Sequence, residues 1–115
     1  MHELAICQDL LAQLEALART HHASLATRVV VGIGPLSGVE ASLLERAFSI
    51  ARAGTVAERA TLAFEELPIR VRCRQCGRES EGRPNRLDCP ACGDFRTELV
   101  TGAELMLMRV ELEDE

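Results

Sequence analysis

The sequence predicts an α+β fold: two helices packed on a small three-stranded mixed sheet, with a cysteine-bearing lobe inserted between two of the strands. Three observations predict it. Apolar residues recur at helical spacing in two segments, residues 4–17 and 43–51. Three short segments, 27–33, 61–67 and 104–112, carry the composition and alternation of strands. Between the second and third of these lies a polar, glycine-bearing stretch with too few large apolar residues to form its own core. At 115 residues the chain suits one compact domain with a small stapled lobe, and two full independent domains are not expected.

The first helix is expected over residues 3–20. Leu4, Cys7, Leu10, Leu11, Leu14 and Leu17 recur every three or four positions with Asp9, Gln13 and Glu15 between them. Cys7 lies on this apolar stripe and reads as a buried core cysteine. Residues 27–33 are rich in valine and isoleucine and end at Gly34-Pro35, which predicts a strand covered on both faces. Ser37-Gly38-Val39-Glu40 has the Ser-x-x-Glu form of a capping box ahead of Leu43, Leu44, Ala47, Phe48 and Ala51, so a second helix is expected there, ending near Gly54. Residues 61–67 read as the second strand, with Pro68 ending it. The last strand, 104–112, is expected to set Met106, Met108, Val110 and Leu112 on one face and Arg109 and Glu111 on the other. The first two strands, joined through the second helix, should be parallel. The main domain is thus expected to comprise residues 1–69 and 98–115, with 70–97 as the inserted lobe.

Composition excludes several function classes. There is no lysine, which rules out a phosphate loop ending in Gly-Lys-Ser/Thr and a Schiff-base lysine. No apolar run is long enough for a membrane span, and the start lacks a basic segment followed by an apolar stretch, so the chain reads as soluble and cytoplasmic, with no membrane partner. The net charge of −5 argues against a nucleic-acid partner. Arg70, Arg72, Arg74, Arg78, Arg83 and Arg86 crowd the cysteine segment, where they are expected to offset thiolate charge and keep the lobe soluble. No nucleophile has a neighbouring base in sequence, and the chain is not expected to be an enzyme.

Cys73-Arg-Gln-Cys76-Gly77 and Cys89-Pro-Ala-Cys92-Gly93 are two copies of Cys-x-x-Cys-Gly, separated by a spacer of about twelve residues. A two-residue gap lets one tight turn aim both sulfurs at a single ion, and the following glycine can adopt positive φ. Cys73, Cys76, Cys89 and Cys92 are therefore read as a tetrahedral zinc site, which makes the lobe zinc-ribbon-like. Four protein thiolates leave no open position, so this zinc would be structural. Spacing alone does not separate zinc from iron in a rubredoxin-like tetrathiolate. Disulfides are disfavoured in a chain without an export signal, and a thioredoxin-like pair needs a strand-to-helix junction that is missing here.

The chain begins Met1-His2-Glu3. The Met1 amine, the deprotonated His2 amide and His2 Nδ1 can close fused chelate rings, and a near-planar set of nitrogen donors favours Ni(II) or Cu(II) over zinc. Met1-His2-Glu3, the run from Arg28 to Glu40 (Arg-Val-Val-Val-Gly-Ile-Gly-Pro-Leu-Ser-Gly-Val-Glu), the two knuckles and Gly102-Ala-Glu-Leu105 together resemble the HypA/HybF family of nickel metallochaperones over essentially the whole chain. The resemblance implies a carrier that delivers nickel to maturing nickel-iron hydrogenase, whose large subunit is the client, and in some organisms to urease. It implies a HypB-type GTPase as partner, and a monomer or homodimer. By motif match it gives His2 a nickel-ligand role with Met1 and Glu3 contributing, the cysteine lobe zinc, and Glu40 a place near the nickel site. His21 and His22 read as solvated residues ending the first helix. Leu67-Pro68-Ile69-Arg70 departs from the Pro-Gly turn common among relatives. The rival reading is a zinc-ribbon nucleic-acid or protein-interaction adaptor, predicting salt-sensitive binding in the first case and indifference to His2→Ala in the second.

Overall fold

The computed structural model describes residues 3–114, which form two helices and six strands. In chain order these are α1 (Glu3–Thr20), β1 (Leu25–Ile33), α2 (Ala41–Ala51), β2 (Thr61–Glu66), β3 (Arg70–Cys73), β4 (Glu79–Glu81), β5 (Thr97–Thr101) and β6 (Leu105–Glu113). They make two three-stranded sheets, ordered β2-β1-β6 and β4-β3-β5. By packing, one unit comprises the residues up to Val31, Val39–Glu65 and those from Met106 onward; the other comprises Gly32–Gly38 and Glu66–Leu105. The second unit therefore extends past residues 70–97 on both sides and takes in the loop after β1.

The first sheet is mixed, as expected. Ala26 N–H donates to the Val56 carbonyl (2.8 Å) and Leu67 N–H to that of Ile33 (3.0 Å), so β1 and β2 advance together. Ser24 N–H bonds the Glu113 carbonyl (3.0 Å) and Gly34 N–H that of Glu104 (2.8 Å), so β1 and β6 run in opposite directions. The central position of β1 explains its unbroken run of buried residues, Val29, Val30 and Val31.

The helical stripe of α1 buries Cys7, Leu10, Leu11, Leu14 and Ala18, while Leu4 stays half exposed. On α2 the stripe is narrow: Leu44 and Phe48 are buried, and Leu43 and Ile50 face out. The two helices meet where the Cys7 thiol donates to the Leu44 carbonyl (3.4 Å). Burial, with Glu3 nearby, pushes the Cys7 thiol up, so it is a packed and unreactive neutral group. Phe48 is almost fully enclosed and Arg52 lies over its ring at 5.8 Å. Phe48→Ala is expected to destabilise this unit by about 3–5 kcal/mol, read as a lower urea midpoint.

Three local expectations need correction. The capping box does not form: α2 starts at Ala41, its N-cap is Glu40 in extended conformation, and no side chain caps it. The reason is long-range, because the loop that should carry the box is held elsewhere, with Leu36 N–H on the Gly102 carbonyl (2.8 Å) and Ser37 N–H on that of Gly34 (3.0 Å). The cysteine segment is not irregular chain: Arg70 pairs with Glu81 and Thr101 across an antiparallel sheet, and Arg72 with Glu79 and Glu98. The expected common face of Met106, Met108, Val110 and Leu112 is not seen: Leu105 and Leu107 are half buried and both methionines exposed, whereas from Val110 onward the even positions are half buried. The alternation slips by one residue between Met108 and Val110, in step with the Glu104 and Glu113 carbonyls both facing β1.

α1 ends in a Schellman turn that the sequence reading did not foresee. Ala23 N–H bonds the Ala18 carbonyl (2.9 Å) and His22 N–H that of Arg19 (3.2 Å), with His22 at φ 53° where glycine is usual.

Candidate metal centre

Each knuckle is a hairpin tip built the same way. Gly77 N–H returns to the Cys73 carbonyl (2.9 Å) and Cys73 N–H takes the Arg78 carbonyl (3.0 Å); Gly93 N–H returns to Cys89 (2.7 Å) and Cys89 N–H takes Asp94 (2.8 Å). Gly77 and Gly93 have φ of 76° and 78°, the left-handed conformation that lets the chain turn under the sulfurs. The twofold copy in sequence is thus a twofold copy in geometry.

The turns bring all four thiols together. Every pair of Sγ atoms among Cys73, Cys76, Cys89 and Cys92 lies within 4.8 Å, and the cross-knuckle pairs Cys73–Cys92 and Cys76–Cys89 lie at 3.5 and 3.7 Å. A tetrahedral ion with metal–sulfur bonds of about 2.3 Å needs sulfurs about 3.8 Å apart. The spacing matches, and the cysteines are free thiols rather than disulfides. Cys73 and Cys89 are buried, Cys76 and Cys92 exposed, so one side of the cluster is walled and the other meets solvent.

Backbone amides favour thiolates here. Cys73 Sγ accepts from the N–H groups of Cys76 and Gln75, both at 3.4 Å, and these bonds hold its thiol down at about 7. Cys89 is likewise lowered, by the amides of Cys92 and Ala91. Cys92 receives an amide from Asp94, yet the adjoining Cys73, Cys89 and Cys76 sulfurs and burial push it up to about 12. Four crowded thiols cannot all ionise alone, and a divalent cation supplies the charge that lets them. Four soft donors in closed tetrahedral array fit zinc or ferrous iron.

The arginines divide in a way that the sequence did not reveal. Arg70 and Arg72 pair with Glu79, Arg72 also reaches Glu98, and Arg86 pairs with Asp88. Those cations therefore neutralise carboxylates of the lobe. A further cation, Arg96, which was not a candidate, lies close enough to Cys73 and Cys92 for their charge to favour its protonated form. It grips Asp94 through Nε (3.1 Å) and a terminal nitrogen (2.7 Å), and reaches Gln75 Oε1 of the first knuckle at 3.1 Å. This grip, with Arg96's own N–H, holds Asp94 down at about 2, so the carboxylate stays ionised wherever thiolates can bind metal. The available signal was Asp94-x-Arg96 directly after the second knuckle. Arg96→Ala is expected to leave the bound-metal stoichiometry unchanged but speed metal loss to a chelator by no more than about fivefold, since a solvent-exposed ion pair is screened and contributes little.

Of the expected nickel ligands, Met1 and His2 lie outside the described residues. Glu3 is the first residue of α1. Glu40 is exposed at the N-cap of α2, and its carboxylate makes no hydrogen bond or ion pair among the described residues. His21 and His22 sit at the turn after α1, beside the end of β6.

Fold and site together define a small α+β protein with a four-cysteine metal centre carried on its own antiparallel sheet. The sequence profile of the family described as hydrogenase/urease nickel incorporation, metallochaperone, HypA, matches residues 1–112. Similar chains include hydrogenase maturation factor HypA of Aquifex aeolicus, 45% identical over 98% of both chains, and that of Nitrosospira multiformis, 48% identical over 97% of both. The solution structure of the nickel metallochaperone HypA from Helicobacter pylori superposes with a TM-score of 0.78 at 30% identity, covering all of both chains. The chain belongs to the HypA family of nickel metallochaperones, a family of maturation factors rather than catalytic enzymes. No helix among the described residues is long and apolar enough to cross a membrane.

Proposed function

We propose that this chain carries Ni(II) on its N-terminus and hands it to the large subunit of nickel-iron hydrogenase alongside a HypB-type GTPase, while zinc on Cys73, Cys76, Cys89 and Cys92 holds the second unit in shape. Urease is the other client that the family's description names. The protein works in the cytoplasm. The observation that carries this reading is the family match from residue 1 onward, because it includes Met1-His2-Glu3, whose amine, amide and imidazole nitrogens form a chelate suited to Ni(II).

Glu40 supports it. Without a capping bond or an ion partner, its exposed carboxylate has no structural duty among the described residues and is available as an oxygen ligand or as a partner to a ligating imidazole. Zinc is favoured for the thiolate cluster because a closed structural site suits a metal with neither redox chemistry nor a geometric preference of its own.

The test is a calorimetric Ni(II) titration of zinc-loaded protein with its native N-terminus, repeated on protein carrying extra residues ahead of Met1. The extension is expected to abolish the tight phase, since it removes the primary amine. Tight binding that survives it would place the nickel elsewhere. Metal analysis of protein purified under reducing conditions should return one zinc per chain.

A further inference from the structure

The turn after α1 and the end of β6 bring two imidazoles and two carboxylates around one groove. Ser24 N–H bonds the Glu113 carbonyl (3.0 Å), which pins the turn to the strand end. His21, His22, Glu113 and Asp114 line a groove of about 540 Å³ there, and half-buried Val110 and Leu112 line it with them. The four polar side chains are exposed, and none makes a hydrogen bond or ion pair among the described residues.

Imidazole nitrogen and carboxylate oxygen are the donors that zinc and its neighbours in the first transition row take outside thiolate sites. The surroundings also favour a cation. The groove lies beside the C-terminal end of α1, the negative end of its dipole, and Glu111, Glu113 and Asp114 crowd the end of the strand. Arg19, in the last turn of α1, opposes them with a single positive charge. His22 holds φ 53°, a conformation that glycine adopts without steric cost. The turn as backbone is better served by glycine, so what histidine adds there is its ring.

We propose that His21, His22, Glu113 and Asp114 form a second divalent-metal site of the zinc class, distinct from the thiol cluster. It lies at the opposite end of α1 from Glu3, roughly 25 Å away at the helical rise per residue, and so stands whether or not the N-terminus carries nickel. Among the described residues only the four thiols already lie within 4.8 Å of one another. The donors of the groove must rotate onto an ion, which makes this binding weaker and more readily reversed than that of the preorganised cluster.

Zn(II) calorimetry tests it on full chain whose thiol cluster is already loaded, with residues added ahead of Met1 and His2→Ala to remove the terminal chelate. One further Zn(II) per chain is expected to bind, and proton NMR should show the ring resonances of His21 and His22 moving with it. His22→Gly removes an imidazole while giving the positive-φ position the residue it favours, so the fold is kept and the further ion should bind at least about tenfold more weakly. Glu113→Gln preserves the shape of the side chain and should weaken it on the same scale. Glu65→Gln, at an exposed carboxylate of β2, should leave it unchanged; an equal loss there would reduce the effect to general charge attraction and overturn the site. So would the absence of a further Zn(II), a further ion that leaves both ring resonances unmoved, or undiminished binding in either His22→Gly or Glu113→Gln.

Discussion

If the four-cysteine cluster holds zinc as proposed, Cys89→Ser is expected to cost the protein that ion and the order of its second unit while α1 and α2 persist. The asymmetry follows from what each unit buries. The first encloses Cys7, Leu10, Leu11, Leu14, Val29, Val30, Val31, Leu44 and Phe48, a continuous apolar core. The second encloses Leu67, Ile69 and Val71, and its remaining buried residues of any hydrophobic character are Cys73 and Cys89 of the thiol cluster. Three aliphatic side chains at about 1.5–3 kcal/mol each cannot order three short strands and two hairpin tips, whose backbone alone costs about 1–2 kcal/mol per residue. Metal coordination, worth on the order of 10 kcal/mol in small zinc modules, closes that gap. Hydrogen exchange should show amides of β3, β4 and β5 losing protection by orders of magnitude, with those of α1 and β1 nearly unchanged. Cys7→Ser is the control: it removes a thiol outside the cluster, so zinc stays bound and the loss appears in the first unit instead. Retained protection in β3 after Cys89→Ser would mean that the sheet, and not the metal, orders the lobe.

The clustering of the four cysteines was legible because each knuckle is local. Four residues specify a tight turn, and the glycine after it supplies the positive φ, so the two Cys-x-x-Cys-Gly copies announce their geometry without help from the rest of the chain. The helices and the first sheet were legible for a similar reason, since periodicity of 3.6 or 2 survives wherever one face is buried. Strands β3 to β5 were not, because Arg70-Val71-Arg72-Cys73 buries only alternate small residues and displays charge between them. That pattern reads as polar chain until the metal is counted as its core. The failed capping box shows the other limit. Ser-x-x-Glu at 37–40 is a sound local signal, but Gly34 packs so closely on Gly102 that a Cβ there would sit 2.2 Å from the Gly102 oxygen. A contact between residues so far apart in sequence redirects the loop, and no local rule contains it.

The displaced cap bears directly on the proposed nickel site, because it separates two roles for Glu40 that the sequence had confounded. If Glu40 served the helix, Glu40→Gln would leave nickel untouched, and loss of a true capping side chain costs about 0.5–2 kcal/mol. The structure assigns its side chain no capping bond, so Glu40→Gln is expected to change the unfolding free energy, measured by urea titration, by less than about 0.5 kcal/mol, as for a surface change away from special features. Nickel affinity should instead fall by about tenfold, the scale of losing a carboxylate that coordinates weakly or orients a ligating group. His2→Ala is the larger perturbation, since it removes a nitrogen donor and one chelate ring together; a loss on the order of a hundredfold or more is expected. Isothermal titration of both variants with Ni(II), zinc site loaded, measures the pair on one scale. The order of effects is the diagnostic. His2→Ala far exceeding Glu40→Gln, with both proteins equally stable, is the signature of a terminal chelate completed by an acidic side chain. Unaltered nickel affinity in His2→Ala would remove the N-terminus from the site, and equal affinity in Glu40→Gln and wild type would leave that carboxylate with solvent alone.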